Sequence, residues 1–350
     1  MNDVAPALRN EVTARRGRTR RLPLGNWERA LLALLLLLTA GLIAGVPGFY
    51  PGFAGFLALT ENFLPFGFVA LGLTTVILTG GIDLSVGAIA GLAAIVMASL
   101  WSGLHVSIWL SALIGLLAGG LLGLVNGLII TRLRTEPLIA TLATSFIYGS
   151  VGVAIAGDNP PSGFPDAFNR VGTGAIGWLP VQIVLFAILA VLFSLLISRS
   201  TFGRRVVMIG YNTDAARYSG VRVRQVLTLS YVISGTMAAL AGIVLAAYYS
   251  AVRPDMGDLL LLSTITTVVL GGVSIFGGEG SIVGVVIAVL LLGMLRQGML
   301  IAGFSDMVTT MLTGAILLGA IAVKNLFAGR GTGLSTLLGR LRRSGTAPAE

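Results

Sequence analysis

Few side chains in this 350-residue chain are equipped for chemistry, and they stand far apart. There is one histidine, His105, and no cysteine. Thiolate catalysis, disulfides and Cys-ligated metals are therefore excluded, and His105 has no second His or Cys with which to share a metal. A phosphate-cradling P-loop needs a lysine directly after its last glycine. The chain has a single lysine, Lys324, and it follows Val323. Any ATP hydrolysis must come from another polypeptide. The run Gly278-Glu279-Gly280-Ser281-Ile282-Val283-Gly284 misses the dinucleotide pattern G-x-G-x-x-G by one residue and lies in an apolar segment. No catalytic residue, metal or cofactor is expected.

One acid stands out. Asp83, in Gly80-Gly81-Ile82-Asp83-Leu84-Ser85-Val86-Gly87, directly follows an apolar run. A carboxylate at bilayer depth costs roughly 2.5–3.5 kcal/mol on insertion scales, so it must face protein or water. Two roles fit: accepting backbone N–H groups to cap a helix that begins near Leu84, or lining a solute path or proton relay. Glu279 and Asp306 sit at the ends of apolar segments, so a relay chain lacks members.

The elements that carry these residues are membrane helices. The chain is 55% hydrophobic and 11% charged, with a mean hydropathy of +0.94. A soluble domain carries about 25% charged residues, so most of this exterior must face lipid. Its 48 glycines follow no collagen period and suit helices that approach closely. About twenty apolar residues cross a bilayer, and ten candidate spans follow: 27–48, 63–80, 85–103, 107–130, 137–156, 177–197, 226–248, 259–275, 280–301 and 305–323. The stretches near 80–87 and 271–280 are the most Gly-rich, and interruptions are expected there. The expected fold is thus an all-α polytopic membrane protein.

Charge placement supports that count. Of 23 basic residues, 20 fall in four blocks: Arg9 to Arg29, Arg132 and Arg134, Arg199 to Arg224, and Lys324 to Arg343. With ten spans and a cytoplasmic N-terminus, all four blocks share one side, as the positive-inside bias requires. The net charge of +9 is therefore read as topology rather than nucleic-acid binding. Residues 1–26 read as a disordered basic cytoplasmic tail against anionic lipid, without the short apolar core of a removable signal. Residues 27–324 read as the membrane domain, with Trp27 as an interfacial anchor, and 325–350 as a second basic cytoplasmic tail. Both termini are expected in the cytoplasm.

There is an internal echo. Leu73-Thr74-Thr75-Val76-Ile77-Leu78-Thr79-Gly80-Gly81 resembles Ile265-Thr266-Thr267-Val268-Val269-Leu270-Gly271-Gly272, a weak parallel repeat of a kind frequent in transporters. Between spans, the cytoplasmic stretch 198–225 is too long for a turn. Within it, Asn212 to Val221 reads as a short helix, with Asn212 or Thr213 as cap and Gly220 as terminator. It is either a rigid body for docking into another protein or a connector lying on headgroups. On the opposite side, the aromatic stretches 157–177 and 49–53 either receive a delivery protein or are interfacial aromatics.

Several strings together resemble ribose-type carbohydrate permeases of ATP-binding-cassette importers. They are Thr79 to Gly87, Gly123-Leu124-Val125-Asn126-Gly127, Pro137 to Thr144, Phe202-Gly203-Arg204, Asp214-Ala215-Ala216-Arg217-Tyr218-Ser219-Gly220-Val221, and Gly271 to Ser281. They occur in order from about residue 60 to 323. Gly163-Phe164-Pro165 and Ala251 to Gly257 look most like the autoinducer-2 type, with the rhamnose type next. The resemblance implies a two-permease, two-ATPase importer in the bacterial inner membrane. A periplasmic binding protein would feed it a sugar or sugar-like solute. Asp214 to Val221 would transmit ATPase closure, and Asp214 stands where the family usually has Glu. The motif residues Gly80, Gly81, Asp83, Ser85, Gly87, Asn126, Gly271, Gly272, Gly277 and Gly278 become candidates for the translocation path. The competing reading is an ion-gradient-driven carrier.

Overall fold

The computed structural model describes residues 25–329; of the expected tails at 1–26 and 325–350, residues 1–24 and 330–350 lie outside the described ones. Fourteen α-helices follow one another among the described residues: α1 (Asn26–Gly45), α2 (Phe53–Ala58), α3 (Leu64–Ile77), α4 (Val86–Leu104), α5 (Ile108–Arg132), α6 (Pro137–Ala156), α7 (Asp166–Thr173), α8 (Val181–Ser198), α9 (Thr201–Tyr211), α10 (Thr213–Tyr218), α11 (Val223–Tyr249), α12 (Asp258–Leu270), α13 (Ile282–Ile301) and α14 (Asp306–Gly329). A two-stranded ribbon, Ala175–Ile176 with Leu179–Pro180, joins α7 to α8.

Each of the ten expected spans contains a helix, but not all are simple crossings. Seven helices are long and apolar enough to cross a membrane, and an eighth crossing is the pair Phe53–Asn62 and Leu64–Ile77, bent by 53°. The bend has a local cause: Pro65 lies in the first turn of α3, and its ring cannot follow a helical residue four positions upstream. Helix α12, with 13 residues, spans only about 20 Å at 1.5 Å per residue, short of a ~30 Å hydrocarbon core. The last helix runs on to Gly329, a few residues past the expected boundary at 324.

Packing inverts the soluble pattern. Helix α5 buries Gly115, Gly119, Gly123 and Gly127 and exposes Leu113, Leu117 and Leu121. Small residues inside and large apolar ones outside are what lipid demands, since lipid gives no hydrophobic reward for burying leucine. The glycine stripe runs antiparallel along α11, with Gly119 against Gly235 and Ala239, Gly123 against Tyr231, and Gly127 against Thr228. A Cβ at Gly119 would lie 2.7 Å from the Gly235 carbonyl oxygen. Helix α11 is therefore the central post, flanked by α3, α4 and α5.

Candidate functional site

The sequence echo is a structural one. Helices α3 and α12 end in the same motif, a glycine in left-handed conformation followed by a reaching-back N–H. Gly80 (φ +81°) and Gly272 (φ +90°) occupy equivalent positions. The Gly80 N–H donates to Ile77 O at 2.9 Å and the Gly81 N–H to Val76 O at 3.2 Å; the Gly272 N–H donates to Val269 O at 3.0 Å and the Val273 N–H to Val268 O at 3.2 Å. Only glycine takes this backbone conformation without strain, which is why both repeats carry it.

The two turns meet. Gly278 N–H donates to Leu78 O at 2.9 Å, and Gly277 fits against Gly80, where a Cβ would be 2.7 Å from the Gly80 nitrogen. Helix α9 lies on this junction through Gly210. A Cβ there would collide with the Leu78 carbonyl oxygen and the Gly278 nitrogen. Gly271 packs in turn against Gly284 and Val285 of α13. Trp27 does more than anchor at an interface: its indole N–H donates to the carbonyl of Leu270 at 2.9 Å, supplying a partner for an otherwise orphaned helix-end acceptor.

Helices α9 and α10 are built by local capping. Ser200 accepts the Gly203 N–H at 3.0 Å, and Asn212 accepts the Ala215 N–H at 2.9 Å. Helix α10 closes at Gly220 (φ +79°) with the Val221 N–H donating to Ala216 O at 3.1 Å. Ala216 is fully buried. What α10 presents to solvent is Tyr218, 91% exposed, and the pair Asp214–Arg217 at 2.8 Å.

Asp83 lies inside, and its carboxylate is fully engaged. Oδ1 accepts the Ser85 N–H at 3.1 Å and the Ser85 hydroxyl at 2.6 Å, while Oδ2 accepts the Ser234 hydroxyl at 2.9 Å. Ser85 Oγ accepts from Asn126 Nδ2 at 2.7 Å, and Asn126 Oδ1 from the Tyr148 hydroxyl at 3.0 Å. Asp83, Ser85, Asn126 and Ser234 all have zero exposure. The chain of bonds ties the loop before α4 to α5, α6 and α11. Thr141 adds a second tie: it accepts the Leu84 N–H at 3.1 Å. The N-cap position of α4 belongs to Ser85, so Asp83 acts one step earlier than expected, holding the cap residue itself.

A cavity of about 590 Å³ lies beside this strut, lined by Leu84, Gly87 and Ala88 of the α4 entry, Ser145, Phe146, Gly149, Ser150 and Val153 of α6, and Pro254, Asp255, Asp258 and Leu261. It exists because the chain after α11 folds back: Gly257 packs on Gly87, and Pro254 on Gly91. Arg253 pairs with Asp255 at 2.6 Å, and that hydrogen bond holds the Asp255 carboxyl below its usual range. Of the candidate path residues, Gly87 lines this cavity; Asp83, Ser85 and Asn126 stand behind it. Gly80, Gly277 and Gly278 meet under α9, while Gly81 faces Tyr231 and Val76, and Gly271 and Gly272 face α13 and Trp27. Sequence reasoning missed Gly210, Ser234, Tyr148, Ser145 and Ser150. The one available signal for Gly210 was a glycine late in an amphipathic helix, where helix propensity disfavours it.

Apolar spans, a Gly-turn repeat and a capped helix packed against its first turn define a transport permease. Residues 55–321 match the family model described as "Branched-chain amino acid transport system / permease component", and the chain belongs to this family. It is a multi-pass inner-membrane transport subunit and not itself an enzyme. Among curated proteins it is similar to the "Autoinducer 2 import system permease protein LsrD" of Yersinia enterocolitica, 37% identical over 306 residues, covering 86% of this chain and 92% of that protein. The protein of the same name from Klebsiella pneumoniae subsp. pneumoniae is 37% identical over 314 residues, covering 86% and 92%. That from Enterobacter sp. is 35% identical over 307 residues, covering 86% and 93%. No solved structure gives a significant match.

Proposed function

We propose that this chain is the permease subunit of an autoinducer-2-type importer, moving a small sugar-like solute inward with energy from a separate ATP-binding-cassette ATPase. The observation that carries the reading is the seat of α9, through Gly210, on the end of α3 and on the Gly277–Gly278 segment that continues α12. A body docked by an ATPase at α10 would push on α3 and α12 together. The family description names amino acids, whereas the relatives that match over 86% of the chain import autoinducer 2. The polar lining from Ser145, Ser150, Asp255 and Asp258, with Phe146 beside it, suits a polyhydroxylated solute better than an aliphatic side chain.

The cavity forms the path together with a second permease subunit, a copy or a relative, and a periplasmic solute-binding protein delivers the solute at the aromatic outer face, where Phe53 stacks near Trp178. Both termini and residues 198–225 lie in the cytoplasm, and 27–324 form the membrane domain. An ion-driven carrier fits less well: a relay needs a carboxylate free to exchange its proton, and both oxygens of Asp83 are held by donors. Uptake of labelled autoinducer 2, ribose and rhamnose by cells carrying the assembled system tests the reading. Uptake of autoinducer 2 that needs the ATPase is expected. Ion-driven uptake by this chain alone in liposomes would overturn it.

A further inference from the structure

Four arginines from three elements surround one groove on the face that carries α10. Arg134 comes from the turn between α5 and α6, Arg217 from α10, and Arg222 and Arg224 from the start of α11; the groove has a volume of about 930 Å³ and no acidic residue in its lining. Arg217 already has Asp214. Among the described residues, no carboxylate pairs with Arg134, Arg222 or Arg224. Arg134 is held in left-handed conformation, at φ +56°. Arg222 and Arg224 stand at the first turn of α11, the helix end whose dipole is already positive. Like charges gathered at such an end repel one another unless an anion joins them.

The groove also has an apolar floor. Ile130, Val223 and Leu227 line it. Leu229, one turn deeper than Gln225 on the same stripe of α11, is 46% exposed, and Leu133 at the end of α5 is 70% exposed. A basic rim that grades into exposed apolar surface matches a molecule with a phosphate at one end and acyl chains at the other. Basic pockets between membrane helices on the cytoplasmic side hold such headgroups. We infer that this groove binds the headgroup phosphate of an anionic inner-leaflet phospholipid. The lipid would sit beside α10, under the site that the proposed ATPase presses. The inference rests on the cytoplasmic placement of residues 198–225 given above.

The test uses the assembled importer in nanodiscs of phosphatidylcholine doped with phosphatidylglycerol, with retained lipid measured by native mass spectrometry. This readout needs no transport, so failure of uptake does not confuse it. Each charge near the surface contributes about 1 kcal/mol, roughly fivefold in affinity. The Arg222→Gln/Arg224→Gln variant should then lose phosphatidylglycerol about 30-fold relative to wild type, with phosphatidylcholine unchanged. Arg170→Gln, outside the groove, should match wild type. Should the double variant not insert, 1 M salt should still strip phosphatidylglycerol but not phosphatidylcholine from wild type. Equal retention by wild type and double variant, or retention indifferent to salt, overturns the inference. So does a double variant that keeps its lipid and loses the ATPase, which assigns the groove to a protein partner.

Discussion

Replacing Gly210 by alanine tests the link between α10 and the membrane helices at its narrowest point. The added methyl would collide with the Leu78 carbonyl oxygen and the Gly278 nitrogen, and would lie 3.0 Å from the Gly277 carbonyl carbon. Carbon and oxygen normally stand about 3.3–3.6 Å apart in such contacts, so α9 must retreat by on the order of 1 Å. All three obstacles are backbone, and two of them belong to the bond that joins the turns, Gly278 N–H to Leu78 O. No rotamer change can relieve the clash. Overpacking of this kind costs about 1–3 kcal/mol, which a body of this size survives, so insertion and extraction should be near wild type. Coupling should not be. We expect solute transported per ATP hydrolysed to fall at least tenfold in the reconstituted importer, with basal ATPase activity retained. Gly314→Ala, where nothing lies within 4 Å, is the control. Wild-type coupling in Gly210→Ala would refute the claim that force passes through this junction.

Three further outcomes follow from the same geometry. Asp83→Ala strands three donors, each costing about 1–3 kcal/mol when buried without a partner. Thermal size-exclusion of extracted protein should show the variant largely aggregated, while Asp83→Asn, which keeps the shape, should stay folded and transport. A folded Asp83→Asn that imports nothing would restore the relay reading. Tyr218→Ala removes the most exposed side chain of α10 and should leave stability within about 0.5 kcal/mol while weakening co-purification of the ATPase several-fold; undiminished co-purification would move the docking face elsewhere. Gly119→Leu drives a side chain into Gly235 and Ala239 and should cost about 3 kcal/mol or more, read as a lowered midpoint in the same thermal assay.

The parts legible in the sequence were those whose physics is local. Hydropathy located all ten helical segments, because crossing lipid needs a continuous apolar run. Gly80 and Gly272 announced their turns because left-handed backbone selects glycine, and Asn212 announced a cap. The polar strut was not legible. Hydroxyls in apolar helices usually bond their own backbone, as Thr74 does to Ala70 O and Ser230 to Val226 O. Nothing in the string separates those from Ser234, which reaches Asp83 across 151 positions. The burial of Ala216 was not legible for a related reason: a six-residue helix has too few turns for its periodicity to say which face turns inward. The cavity was hidden because it depends on residues 254–258 folding back onto α4, a tertiary event.

Helix α12 meets backbone at both ends, with the Trp27 indole as a further partner at its C-terminal end. Its C-terminal turn continues to Gly277 and Gly278 beneath Gly210, and its N-terminal end begins at Gly257, whose missing Cβ would lie 2.8 Å from the Gly87 carbonyl carbon. Gly87 and Asp258 both line the cavity. Flexible side chains absorb small displacements; peptide groups in contact do not. On the proposed mechanism, a shift of α9 would reach the cavity wall through a rod about 20 Å long. The strut from Ser234 through Asp83 to Tyr148 fixes α4, α5, α6 and α11 to one another, and no residue of α12 belongs to it. On the proposed mechanism, the part that moves would thus be distinct from the frame. Gly257→Ala should then reproduce the uncoupled phenotype of Gly210→Ala from the opposite end of the rod: near-normal insertion, retained ATPase activity and at least tenfold less solute per ATP. A Gly257→Ala importer with full coupling would mean that α12 does not carry the motion.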